Sequence, residues 1–164
     1  MSHKKSRVIA IFSVVLLGII VFSVIYLGAV SNDDKPTSQE VAAARSVVEE
    51  YFRACKEKDS QAILKTLTPE YNRPNTVLFG EETKTLLKID YSPEDPMREW
   101  YITSGRGSAN DIREENVIVF RVSFNIEYPE GVTGAWNEGK NKDWSIILIR
   151  DDKDSPWLID DQGM

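Results

Sequence analysis

Asp160 and Asp161, adjacent near the end of the chain, are the residues whose pairing most suggests chemistry. Two carboxylates held close together push one pKa upward, and a raised acid can give or take a proton near neutrality. The competing reading is a pair ending in solvent, as charges beside a chain terminus usually do. Arg121 is a candidate of opposite sign. On a strand face that looks into a cavity it would hold an anionic ligand; on the other face it is ordinary surface. Asp151, Asp152 and Asp154 invite a calcium reading, but the run lacks the glycine and distal glutamate of a calcium loop, and Pro156 interrupts it. No metal site and no cofactor are expected. His3 is the one histidine and lies at the extreme N-terminus, which removes most histidine-based catalysis and metal binding from the rest of the chain. Cys55 is the one cysteine, so there is no internal disulfide, and its position on an apolar stripe predicts a buried, inert thiol. Ser104-Gly105-Arg106-Gly107-Ser108 has two glycines but no phosphate-loop lysine, and reads as a flexible loop. No catalytic set assembles from these residues.

The elements that must position them begin with a hydrophobic segment. Residues 8–30 carry no charge across 23 positions, and 16 of these are Ile, Leu, Val or Phe. A helix of that length spans roughly 34 Å, enough for a hydrocarbon core of about 30 Å. Lys4, Lys5 and Arg7 precede it, whereas Asp33 and Asp34 follow it. The positive end stays in the cytoplasm, so a single-pass anchor with an extracellular C-terminal domain is expected. The alternative is a signal peptide cleaved at Ala29-Val30-Ser31. The linker 31–36 reaches at most about 20 Å, which keeps the domain 37–164 near the bilayer. Taking the three basic residues of the first 30 from the chain's 20 leaves 17 against 26 acidic residues, a formal net charge of −9. A domain of that sign repels nucleic acid.

Thr37 and Glu40 form a capping box after Pro36, and Val41, Ala44, Val48, Tyr51, Phe52 and Cys55 recur at helical spacing. Asp59 or Ser60 caps a second, short helix with Ala62, Ile63, Leu64 and Leu67 as its apolar positions. The period then changes to two. Residues 83–91 predict a strand facing inward through Leu87, Ile89 and Tyr91. Residues 92–115 give no clear pattern. Residues 117–128 alternate cleanly, with Ile118, Phe120, Val122, Phe124, Ile126 and Tyr128 on one face and Arg121, Ser123, Asn125 and Glu127 on the other. Residues 143–150 are apolar on both faces, with Ile147 and Ile149 opposite Ile146 and Leu148, which calls for a second covering layer from packing or from a partner subunit. Trp157-Leu158-Ile159 form a last strand. The expected fold class is α+β, two helices packed on a curved, mostly antiparallel sheet behind a transmembrane helix.

Tyr51-Phe52-Arg53-Ala54-Cys55-Lys56-Glu57-Lys58-Asp59, followed by Ala62-Ile63 and Leu67, resembles the "Y-x-x-A-x-x-x-x-D-x-x-x-I" helix-turn-helix of the nuclear transport factor-like, or ketosteroid isomerase-like, family. The close of the chain, Trp144 to Arg150 and Trp157 to Gly163, is similar to that of an uncharacterised group of small bacterial exported or membrane-attached proteins with this fold. The resemblance covers residues 38–68 and 116–164. It implies a long helix lying across a curved sheet, a cone-shaped cavity between them, and Tyr51 in the position of the isomerases' carbonyl-polarising tyrosine. The matching acid is missing from Thr68-Pro69-Glu70-Tyr71-Asn72-Arg73-Pro74, where Glu70 serves only if the loop folds inward. The expected function is therefore a membrane-anchored, non-catalytic binding module for a small molecule or a neighbouring membrane protein. Its weak cavity candidates are Tyr51, Arg121 and Asp160. The alternatives are a structural homodimer through Ile147 and Ile149, and an isomerase-like or hydrolase-like enzyme using Tyr51 with Asp160.

Overall fold

The first helix begins where the capping box places it. In the computed structural model, which describes residues 35–74 and 76–163, helix α1 is Ser38–Glu57, and Thr37 and Glu40 cap each other reciprocally. The Glu40 carboxylate accepts from the Thr37 amide at 2.7 Å and pairs with Arg150 at 2.5 Å. These contacts outweigh burial and hold its pKa at about 2. Arg150 is itself buried and lies 4.5 Å from the centre of the Trp157 ring, so the start of the helix is tied to the far end of the sheet. The anchor expected at 8–30, the basic tail 1–7 and most of the linker 31–36 lie outside the described residues. Among the described residues no helix is long and apolar enough to cross a membrane.

Lys58 ends α1 in the left-handed conformation. Asp59 then caps helix α2, Ser60–Thr66, accepting from the Ala62 amide at 3.0 Å. The sheet is four-stranded and antiparallel, in the order β1 (Thr83–Tyr91), β2 (Val117–Glu127), β3 (Gly139–Ile149), β4 (Leu158–Gly163). The domain is thus α+β. The α1 stripe packs on the face carrying Ile118, Phe120, Val122, Phe124, Ile126, Ile146, Leu148 and Ile159. Each large aliphatic side chain buried there contributes about 1.5–3 kcal/mol.

Residues 92–115, unreadable from the sequence, supply the second layer. Asp95 and Pro96 start helix α3, Pro96–Thr103, and Gly105 leads into the single turn α4, Arg106–Ala109. Together they cover the opposite face at one end, where Tyr101, Val117, Val119 and Ile147 form a second core with Met97, Ile102, Ile112 and Ile149 around them. The two apolar faces of β3 are therefore both covered within one chain. Ile147, a contact in the alternative homodimer reading, is 1% exposed and already covered within the chain. The segment read as a flexible loop is a packed turn: a Cβ on Gly107 would lie 2.6 Å from the Tyr101 ring and 2.7 Å from Ile112.

One face assignment is corrected. The β1–β2 register shifts between Leu86 and Lys88. Leu87 occupies that bulge and is 47% exposed, while Leu86, Ile89 and Tyr91 pack on the main core. A bulge inserts one residue and switches the parity of everything on its far side. Leu87→Ser is expected to change unfolding free energy by no more than about 0.5 kcal/mol, whereas Leu86→Ser costs about 1–2 kcal/mol; equal losses in urea melts would refute the bulge. Glu40 gives a pH signature. Its folded pKa lies below the ordinary 4.5, so its contribution is complete above that pH and disappears as the pH falls toward about 2. The stability gap between the native chain and Glu40→Gln should close across that interval in acid titrations.

Candidate functional site

A cavity of about 460 Å³ opens on the α1 side of the sheet. Tyr51 comes to it from α1, Lys84 from β1, Gln162 from β4, and Leu78, Phe79 and Trp136 from two connecting segments. The segment before β1 is held by Lys58, which donates to the Gly80 carbonyl at 2.6 Å and to that of Glu82, and lies 5.2 Å from the centre of the Phe79 ring. Trp136 is fixed by Tyr128: its amide donates to the Tyr128 hydroxyl at 3.1 Å, and that hydroxyl donates to the Trp136 carbonyl at 3.3 Å. Gly134 makes room for this, since a Cβ there would meet the Tyr128 oxygen at 2.5 Å. Trp136 also stacks edge-on against Trp144, with ring centroids 5.0 Å apart.

Lys84 is the unexpected group. It faces Ile126 across the β1–β2 ladder, on the core side, and is 8% exposed. Its ammonium sits 4.1 Å from the centre of the Trp136 ring. The nearest carboxylate oxygen, on Glu82, is 3.7 Å away, too far for a good hydrogen bond. Among the described residues no acceptor lies within hydrogen-bonding distance of it. Burial pushes the Lys84 pKa down. Burial would raise Glu82, but its own amide, the Gly80 amide and the two lysines hold it lowered. The Tyr51 hydroxyl is pushed up, chiefly by burial, and meets the Gln162 amide at 3.4 Å, the far end of hydrogen-bonding range. Cys55, also buried, has a raised pKa, which makes its thiol a poor nucleophile.

Of the residues singled out from the sequence, Tyr51 alone reaches the cavity. Arg121 is on the other face, where a bidentate pair with Asp95 at 2.8 and 2.9 Å and a bond to the Asp143 carbonyl occupy it. Asp160 does not end in solvent; it is 2% exposed. The β3–β4 register shifts at this residue, which separates it from Asp161. Its carboxylate accepts from Tyr101 at 2.6 Å, Thr68 at 2.9 Å and Arg106 at 3.3 Å, and its carbonyl from Tyr71 at 3.0 Å. Arg106 also pairs with Glu70, so Glu70 meets an arginine at the surface. None of the partners of Asp160 is Tyr51. Tyr101 is pushed well up by burial and by the carboxylate it donates to. Among the described residues no group of three or more His, Cys, Asp or Glu could hold a metal ion.

The chain matches the family model described as a domain of unknown function, DUF4829, over residues 45–163. It belongs to the DUF4829 family. The match begins inside α1 and closes with the last residue of β4, so the DUF4829 domain contains every cavity residue and the whole Asp160 cluster. No curated protein and no solved structure matches the chain.

A donor removed from a buried carboxylate leaves part of its charge uncompensated. In this DUF4829 domain Tyr101→Phe should cost about 1.5–3 kcal/mol, and Asp160→Ala more, because it strands the Tyr101 and Thr68 hydroxyls together at about 1–3 kcal/mol each. Denaturant melts check both values. A loss below 0.5 kcal/mol for Tyr101→Phe would mean that the cluster is solvated.

Proposed function

We propose that the domain is a non-catalytic binding module tethered to a membrane by residues 8–30, and that its ligand occupies the cavity at Tyr51, Lys84, Trp136 and Gln162. The observation that carries this reading is Lys84, a residue 8% exposed whose ammonium reaches the cavity out of hydrogen-bonding range of any protein acceptor among the described residues. Its partners are the Trp136 ring and the Glu82 carboxylate at ion-pair distance, so a guest in the cavity can supply the close acceptor that the protein does not. Aromatic walls with a few convergent polar groups are the usual make-up of small-molecule sites.

The nuclear transport factor-like reading agrees with a long helix packed across an antiparallel sheet and with a cavity that Tyr51 lines. The isomerase-like alternative has less support, because the acid expected to act with Tyr51 is bonded to Thr68, Tyr101 and Arg106. The anchor rests on the uncharged 23-residue run behind Lys4, Lys5 and Arg7, and the short linker favours ligands or partners close to the bilayer.

Native mass spectrometry of the full chain, purified in detergent from its own host, tests the central claim. A co-purifying small molecule is expected, and it should be lost from the Trp136→Ala variant. Repeated recovery of bare protein would count against a binding role. Membranes washed with alkaline carbonate should retain the chain, and external protease should digest the domain on intact cells stripped of their wall.

A further inference from the structure

We infer that the ligand is a small monocarboxylate with a flat, apolar body, and that Lys84 is its counter-ion. This rests on the binding role proposed above and adds the chemical class of the guest. The donors that the strands and α1 bring to the cavity are the Lys84 ammonium, the Gln162 side-chain amide and the Tyr51 hydroxyl. The bond between Gln162 and Tyr51 is long, at 3.4 Å, so either group can turn to an incoming oxygen at little cost. One cation and two neutral donors match the two oxygens of a single carboxylate.

Of the carboxylates that line the cavity, Glu82 is already engaged. The Glu82 carboxylate accepts from the Gly80 amide at 3.4 Å and approaches Lys84 at 3.7 Å without bonding it. A cationic guest would have to displace Lys84 from Trp136 and lie beside its charge. A phosphate ester or other dianion would bring a second negative charge toward Glu81 and Glu82, which both line the cavity, with one lysine to balance it. A monoanion escapes both penalties. The Trp136 ring face lies 4.1 Å from the ammonium and favours its charged form. Phe79 and Trp136 supply two aromatic surfaces and Leu78 an aliphatic one, which suits a planar or hydrocarbon body behind the carboxylate.

The test uses the full chain in detergent micelles, with empty micelles as control, and three probe pairs: cinnamate and cinnamamide, phenylacetate and phenylacetamide, octanoate and octanamide. Binding is read from the Trp136 indole and Lys84 side-chain resonances by NMR, in the native chain and in Lys84→Met, which keeps the side chain's length and removes its charge. Melting of the variant checks that it folds, and Gln162→Leu serves as the second variant. At least one carboxylate should saturate these resonances with an affinity tenfold or more above its amide. Lys84→Met should abolish that preference while leaving the amide's affinity unchanged, and Gln162→Leu should weaken the carboxylate several-fold. Equal affinity for acid and amide, or a preference that survives Lys84→Met, overturns the carboxylate assignment and leaves the binding role standing. So does a co-purified ligand that is neutral or cationic. If no probe shifts the cavity resonances and the purified protein is also bare, both readings fall.

Discussion

Asp160 carries a charge at the edge of the sheet with 2% of its surface exposed. Removing a carboxylate from water costs several kcal/mol unless hydrogen bonds replace the lost solvation. Here the donors come from three stretches of chain far apart in sequence: Thr68 after α2, Tyr101 on α3 and Arg106 on α4. Thr68 also takes the Ile159 carbonyl through its amide at 2.9 Å, and Leu67 bridges Ile159 in parallel. The segment leaving α2 is thereby laid along β4, and the second helical layer is drawn onto the opposite face. Tyr101 serves twice, with its ring at the centre of the second core and its hydroxyl on the carboxylate. Gly107 allows α4 to lie against that ring. One buried charge therefore fixes the relation of α2, α3, α4 and β4.

Elements whose local signals agree with their burial were legible in the sequence. The capping box at Thr37 and Glu40 and the apolar stripe from Val41 to Cys55 lie where the spacing puts them, and β1 spans the expected 83–91. The alternation of β2 is reproduced residue by residue, and the two-faced apolar pattern of β3 correctly required a second layer. What stayed hidden depended on tertiary contacts. Helix α3 has a local start signal, Asp95 before Pro96, an N-cap followed by proline at the first helical position. Its eight residues present Met97, Tyr101 and Ile102 inward, too few to establish a period. Arg121, weighed as a ligand contact or as plain surface, pairs with Asp95, and Arg98 pairs with Glu114; no local pattern announces such partners.

The site was less legible than the fold, and the reason is specific. Parity counted along a regular ladder runs straight through Leu87. That count puts Leu87 on the core face and Lys84 on the other. The bulge at Leu87 reverses the assignment for the first half of the strand, so the same irregularity that exposes a leucine buries a lysine. The end of β4 behaves in the same way. With Asp160 unpaired in its own bulge, Ile159 faces the main core, Asp161 lies opposite Ile147, and Gln162 lies opposite Ile146, back on the core side. Without that extra residue Gln162 would point to the other face.

Both polar side chains that the strands bring to the cavity therefore arrive by way of a bulge. Bulges concentrate near functional sites because they re-aim a side chain without altering the rest of the sheet, and here two of them act on the same volume from opposite edges. The energetics favour reading this as a requirement of the cavity. A bulge sacrifices a ladder position, and the one in β1 also exposes a leucine and buries an ammonium without a hydrogen-bond acceptor. Exposing the leucine does not lower the free energy of the empty fold, and the ammonium finds only the Trp136 ring and a distant Glu82 carboxylate there. The bulge in β4 does stabilise it, because it frees Asp160 to gather Thr68, Tyr101 and Arg106. The two irregularities thus differ in what they deliver: the β4 bulge frees Asp160 to organise the architecture around it, whereas the β1 bulge brings Lys84 to the cavity.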